Sequence, residues 1–406
     1  MVPGEDIQYQ DWEFMVTTPP SSSGSHWTAS DSPSFAVTSP NLTFDSTAPM
    51  ADNIAPNEPT NVKIVENWWS ENTGFVILEA EGRLFKMLAT LFLRKSPVFK
   101  AAYDGSPTSP PVFCKKIYVG SGSEIIQKTQ GKDIIVFEML DVTAKEAEEF
   151  VHALLDPEHF DRPPKKEKFE VILAIFKLAS LYEVNYLRRN ALAHLELAYP
   201  CTNIEDWDSR EQRSTFSVDR SAEFYQTIPH TLTNTFSLIE LCMAHRAFWI
   251  LPAAFYECCL YNVDKILEHP KWAECNDDSL LPAIKNKIIT GFISQKEETS
   301  RVLSFLHVSL PQCNSSRKCN EIRQGELANI YITRGNKRRD MDFLGTVWDK
   351  GDWDEFGEQG MCGQCLSMCR SYHNNFRVDA WENLPSLYDL PDWDSLRELR
   401  SHVMKY

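Results

Sequence analysis

Between Phe75 and Met87 the chain reads FVILEAEGRLFKM. Four apolar residues from Phe75 to Leu78, with an alternating end to Ala80, predict a β-strand. Glu81-Gly82 predicts a tight turn, because glycine takes φ > 0 without steric cost. Arg83 to Met87 then reads as the returning strand. Helical spacing begins directly after it, through Leu88, Leu91 and Phe92.

Working outward, Ser96-Pro97 predicts a helix start. Serine caps the helix, and proline at the first helical position gives up no needed N–H. The stretch from Tyr103 to Gln130 reads as loop, with Ile117-Tyr-Val119 as a short strand inside it. Ile134 to Phe137 is a further strand. Thr143-Ala-Lys-Glu146 is a capping box, in which the threonine oxygen and the glutamate satisfy each other's backbone amides. The helix it opens places Ala147, Phe150, Val151, Leu154 and Leu155 on one face and ends at Asp156-Pro157. Two longer helical patterns follow, Phe169 to Tyr182 and Tyr186 to Tyr199. Strands first and helices after predict an α+β architecture, a small sheet flanked by helices. Residues 201–230 read as a polar connector, and the charged run Asp206 to Arg213 as loop. Beyond them the patterns are helical: Asn234 to Asn262 with a new start at Pro252, Leu280 to His307, and Trp381 to Tyr406.

Residues 1–65 stand apart. They hold eight prolines, sixteen serines and threonines, and eight acids against Lys63. Such a segment buries too little apolar surface to offset its chain entropy, and is expected to be a disordered acidic tail. The whole chain of 406 residues carries a formal charge of −16. A surface of that sign repels phosphate, so neither nucleic acid nor an anionic membrane is an expected partner. Lys337, Arg338 and Arg339 are the densest basic run, and Asp340 follows them at once. The acidic N-terminus resembles no secretory signal, and no window approaches eighteen apolar residues. The cytoplasm or nucleus is therefore the expected location, with the eleven cysteines reduced.

The segments FVILEAEGRLFK from Phe75, LRKSPVF from Leu93, DVT from Asp141 and LAIFKLASLYEVNYLRR from Leu173 stand in an order that resembles the BTB/POZ family. That resemblance implies a BTB/POZ domain over residues 66–200, a connector over 201–230 and a helical C-terminal region over 231–406. The block LPAAFYECC from Leu251, the cysteines near 313 and 362 and the WENLP that starts at Trp381 are similar to the large BTB proteins of mushroom-forming fungi. Gly74 and Met87 stand where the family often has aspartate and histidine. Any role of that polar pair is not expected here.

Cys313 and Cys319 are separated by five residues, and Cys362 and Cys365 by two. Zinc takes four thiolates or imidazoles in a tetrahedron, and a Cys-x2-Cys turn supplies two of them. A structural zinc site of Cys313, Cys319, Cys362 and Cys365 is one reading, with His373 able to substitute. Reduced cysteines packed in a helical core are the other. Catalytic signatures are missing: no G-x-S-x-G, no phosphate-binding glycine loop, no H-E-x-x-H. Cys258-Cys259 has no base near it in sequence, and His194 and His245 fall on helical patterns as structural histidines. No enzyme is expected. The resemblance implies a protein–protein interaction scaffold, self-associating as a homodimer or pairing with another BTB protein. Trp68 and Trp69, just ahead of the first strand, could anchor such a partner. The alternative is a substrate adaptor of a cullin-type ubiquitin ligase, and a transcription regulator is the third reading.

Overall fold

A computed structural model describes residues 74–106, 113–117, 134–213, 231–274, 280–307, 313–334, 342–345 and 350–405. The tail expected over 1–65, Trp68, Trp69, the basic run at Lys337 to Arg339 and residues 214–230 lie outside the described residues.

The hairpin forms as its sequence requires. β1 (Phe75–Ala80) and β2 (Arg83–Leu88) pair antiparallel from Phe75 opposite Leu88 to Ala80 opposite Arg83. Glu81 and Gly82 both have positive φ, 45° and 73°. Two such residues twist a two-residue turn in the sense its flanking strands need. Val76, Leu78 and Ala80 are buried in the main core, and so are Phe85 and Met87 from the partner strand.

α1 (Ala89–Lys95) and α2 (Pro97–Tyr103) follow, joined by Ser96. The Ser96 hydroxyl accepts from Phe99 N and donates to Tyr182 O at 2.6 Å, so a fully buried hydroxyl has both roles filled. Phe99 fills the space behind it. Its ring lies 4.3 Å from those of both Phe92 and Tyr182, and 5.2 Å from Phe137.

β3 (Phe113–Ile117) and β4 (Ile134–Glu138) complete a four-stranded sheet of order β2-β1-β4-β3. β4 runs parallel to β1 and antiparallel to β3. Of the short strand expected at Ile117 to Val119, Ile117 is the last residue of β3, whose start at Phe113 the sequence reading did not include. Tyr118 and Val119 lie outside the described residues. α3 (Ala144–Leu155) opens on the expected capping box: Thr143 Oγ1 accepts from Glu146 N, and Glu146 accepts from Thr143 N. α4 (Phe169–Leu181) and α5 (Asn185–Ala198) pack on each other, and α3 packs on α4.

The charged run after residue 200 is not loop. α6 (Ile204–Asp208) and α7 (Arg210–Arg213) form there, and Asn203 caps the first by accepting from Asp206 N. The charges flank an apolar pair, Ile204 and Trp207, that is buried in the main core. α8 (Leu232–Ala244), α9 (Leu251–Cys259), α10 (Val263–Leu267) and α11 (Leu281–Val302) come next. α12 (Ser316–Arg334), α13 (Lys350–Glu358), α14 (Gly363–Glu382) and α15 (Trp393–Lys405) close the chain.

All nine residues of α9 are buried. A helix apolar on every side belongs at the centre of a core. The main core accordingly runs without a break from Val76 to Leu396, across the expected boundaries at 200 and 231. The lone acid of α9, Glu257, is met by Arg210 at 3.0 Å, whose guanidinium lies 3.5 Å over the Trp207 ring. Residues 342–345 are drawn into the same core. Tyr256 donates to Asp342 and accepts from Leu344 N, while Arg377 donates to Leu344 O and to Asp208. Gly291 in α11 meets the Tyr388 ring so closely that a Cβ would lie 2.2 Å from it.

Candidate metal centre

A second, smaller core lies beneath α12, α13 and α14. It comprises Leu303, Phe305, Leu306, Ile330, Trp353, Phe356 and Met361 with Cys319, Cys365 and Cys369. Cys313 and Cys362 border it.

Two helix starts bring the cysteines together. Cys362 is the N-cap of α14, in extended conformation, and its sulfur accepts from Cys365 N at 3.5 Å. The thiol thus stands where serine or threonine would stand in an ordinary cap, and Cys365 lies in the first turn on the same side. Cys313 precedes the turn into α12, and Cys319 sits in that helix's first turn. The Cys362 amide donates to Cys319 Sγ at 3.3 Å, which ties one helix start to the other. Cys313 Sγ and Cys362 Sγ are 4.0 Å apart. All four sulfurs lie within 4.8 Å of one another.

The electrostatics are uneven. The Cys365 amide holds the Cys362 thiol down at about 6. Burial pushes Cys319 and Cys365 up, and Cys369 up to about 11. Four thiolates cannot share so small a space unless a cation offsets them. A buried cation already stands nearby. Arg323 is 2% exposed and donates to Phe305 O and to Cys319 O, and its charge acts on Cys369.

The donor set fits a tetrahedral thiolate site. Zinc–sulfur bonds of about 2.3 Å place the sulfurs roughly 3.8 Å apart, close to the Cys313–Cys362 separation. The four expected cysteines are the ones the fold assembles. His373, expected as a possible substitute, is elsewhere: its ring packs 5.7 Å from Phe305 and 6.1 Å from Trp353. Sequence reading missed the contribution of Arg323, and only its helical spacing four residues after Cys319 could have signalled it.

Cys201, Cys242, Cys258, Cys259 and Cys369, the remaining described cysteines, are buried, and burial raises the pKa of each. Cys259 donates to Ile288 O. His194 Nε2 lies 2.7 Å from Asp161 O, and His245 packs edge-on to Phe176. Beside the centre, a groove of about 430 Å³ between α12 and α13 is lined by Lys318, Glu321, Ile322 and Phe356 among others. No helix among the described residues is long and apolar enough to cross a membrane. Comparison of the chain with family models, with curated proteins and with solved structures finds no match.

Proposed function

We propose that the chain is a protein–protein interaction scaffold of the BTB/POZ kind, whose C-terminal helices are fastened by a structural zinc ion. The observation that carries the scaffold reading is the order of elements from Phe75 to Ala198: hairpin, helix, Ser-Pro-capped helix, two strands of which the second runs parallel to β1, a box-capped helix, and a helix pair. It is the order that the family resemblance of the sequence implies. Self-association through the domain is the expected activity, and a two-fold homodimer is the default arrangement for it. Size-exclusion chromatography with light scattering tests this. A mass of two chains at micromolar concentration supports the reading, and a strict monomer sinks it.

A substrate adaptor for a cullin-type ligase is the sharper form of the same proposal. It is favoured by α8, which packs on α4. Pull-down of the full chain with a cullin N-terminal region separates the two forms.

Zinc is supported by the sulfur geometry. Cys313, Cys319, Cys362 and Cys365 would hold the ion, which would neutralise charge and join the starts of α12 and α14. A set of four protein ligands leaves no open position for substrate, so the ion's contribution is to folding. Elemental analysis of purified protein should find one zinc per chain, reduced to background by Cys365→Ser. Background zinc in the wild type ends the idea.

A further inference from the structure

We propose that the centre is a peroxide-sensitive latch, in which Cys313 and Cys362 join as a disulfide and the metal leaves. The proposal rests on the zinc reading above. It starts from an asymmetry in access. Cys319 and Cys365 are fully buried, whereas Cys313 and Cys362 are partly exposed. A small polar oxidant reaches those two sulfurs first. The two accessible sulfurs are also mutual neighbours, 4.0 Å apart, so a sulfur oxidised on one lies within a short approach of the other. Susceptibility to oxidation follows thiolate character and exposure, and metal binding supplies the first while position supplies the second.

The chemistry closes without further reagents. One of the two thiolates attacks a hydroperoxide oxygen. An S–O bond forms, the O–O bond breaks, and the departing oxygen takes a proton to leave as water or alcohol. The second thiolate attacks the sulfenic sulfur, an S–S bond forms, and the S–O bond breaks to release a second oxygen, protonated to water. Two sulfurs lose two electrons, the peroxide gains two, and two protons are consumed. Zinc is left with Cys319 and Cys365 alone, half of the four ligands a structural site requires. The new bond spans residues 313 and 362, so the starts of α12 and α14 stay joined while the metal is lost. A thiol reductant with added zinc reverses the change.

Cys369 makes the selectivity testable. It lies one helical turn beyond Cys365 and is 1% exposed, so it is a competing partner that the proposal excludes. The full-length, zinc-loaded chain is freed of reductant and titrated with hydrogen peroxide. A chromogenic chelator follows zinc, and alkylation with peptide mapping follows the cysteines. One zinc released per chain, with Cys313–Cys362 as the first disulfide, is expected, and C369S should behave alike. Two results would overturn the latch: zinc retained at peroxide levels that oxidise the protein's methionines, or a first disulfide that uses Cys319, Cys365 or Cys369. Zinc content measured before peroxide is the separate control. Background zinc at that stage overturns the metal reading itself.

Discussion

The main core fills its centre with rings: Trp207, Trp249, Tyr256 and Trp381 are all fully buried there. The core beneath α12, α13 and α14 has Phe305, Trp353 and Phe356, and completes itself with thiols and a buried arginine. The difference is one of size. A large cluster offsets chain entropy by burying apolar area, at about 25 cal/mol per Å². A small one falls short and needs a staple, as small domains do. On the zinc proposal the chain uses two kinds of adhesive, and each fails under different insults.

The largest expected effect separates the two at once. On the zinc proposal, removing the metal with a chelator, or making Cys365→Ser, should cost about 5 kcal/mol or more of local stability. Hydrogen exchange should then rise in α12, in α13 and at the start of α14, while α9 keeps its protection. Equal loss in α9 would show that the cores unfold as one and would break the comparison. The converse is Phe99→Ala, which empties a site touched by three rings and should cost about 3–5 kcal/mol. Denaturant unfolding measures it, and zinc content should be unchanged under native conditions.

A pH test is next in size. Burial, with help from Arg188 and Lys177, lowers His245 to about 4. The unfolded histidine takes a proton below about pH 6.5, and the folded one only near 4. Its stabilisation is therefore complete above pH 6.5 and is lost as pH falls toward 4. After discount for partial exposure the effect is about 2 kcal/mol. His245→Gln should flatten the urea midpoint between pH 7 and 4.5 relative to wild type, with both proteins metal-free so that zinc release does not contribute. The smallest effects belong to the caps. Ser96→Ala loses a cap and a buried donor, about 1–2 kcal/mol, and Thr143→Ala about 1 kcal/mol. Thermal unfolding resolves both, and a Thr143 effect larger than the Ser96 effect would show that burial does not amplify a cap.

Much of this was legible in the sequence because local rules acted alone. Glu81-Gly82, Ser96-Pro97 and Thr143 to Glu146 are punctuation whose physics is confined to a few residues, and each appears as read. The helical stretches from Phe169, Leu251 and Leu281 follow from their spacing. The start of strand β3 at Phe113 was not read because its pairing is set by β4, some twenty residues away. The short helices α6 and α7 were hidden because charge dominates Asp206 to Arg213, while one buried ring, Trp207, decides the outcome. The cysteine set was readable from its two short spacings. What joins the pairs, an amide of one reaching a sulfur of the other across 43 residues of chain, leaves no trace in spacing.

One element belongs to both regions. α14 starts at the cysteine centre and ends with Ala380 and Trp381 in the main core, a rod of about 30 Å at 1.5 Å per residue. Its last turns are moored by Arg377, which grips Asp208 and the Leu344 carbonyl. Fraying that begins at Cys362 is expected to stop at that mooring. Under the zinc proposal the helix is a beam with one removable support and one permanent one, so the condition of the sulfur end should be felt along its length while the aromatic end holds its shape.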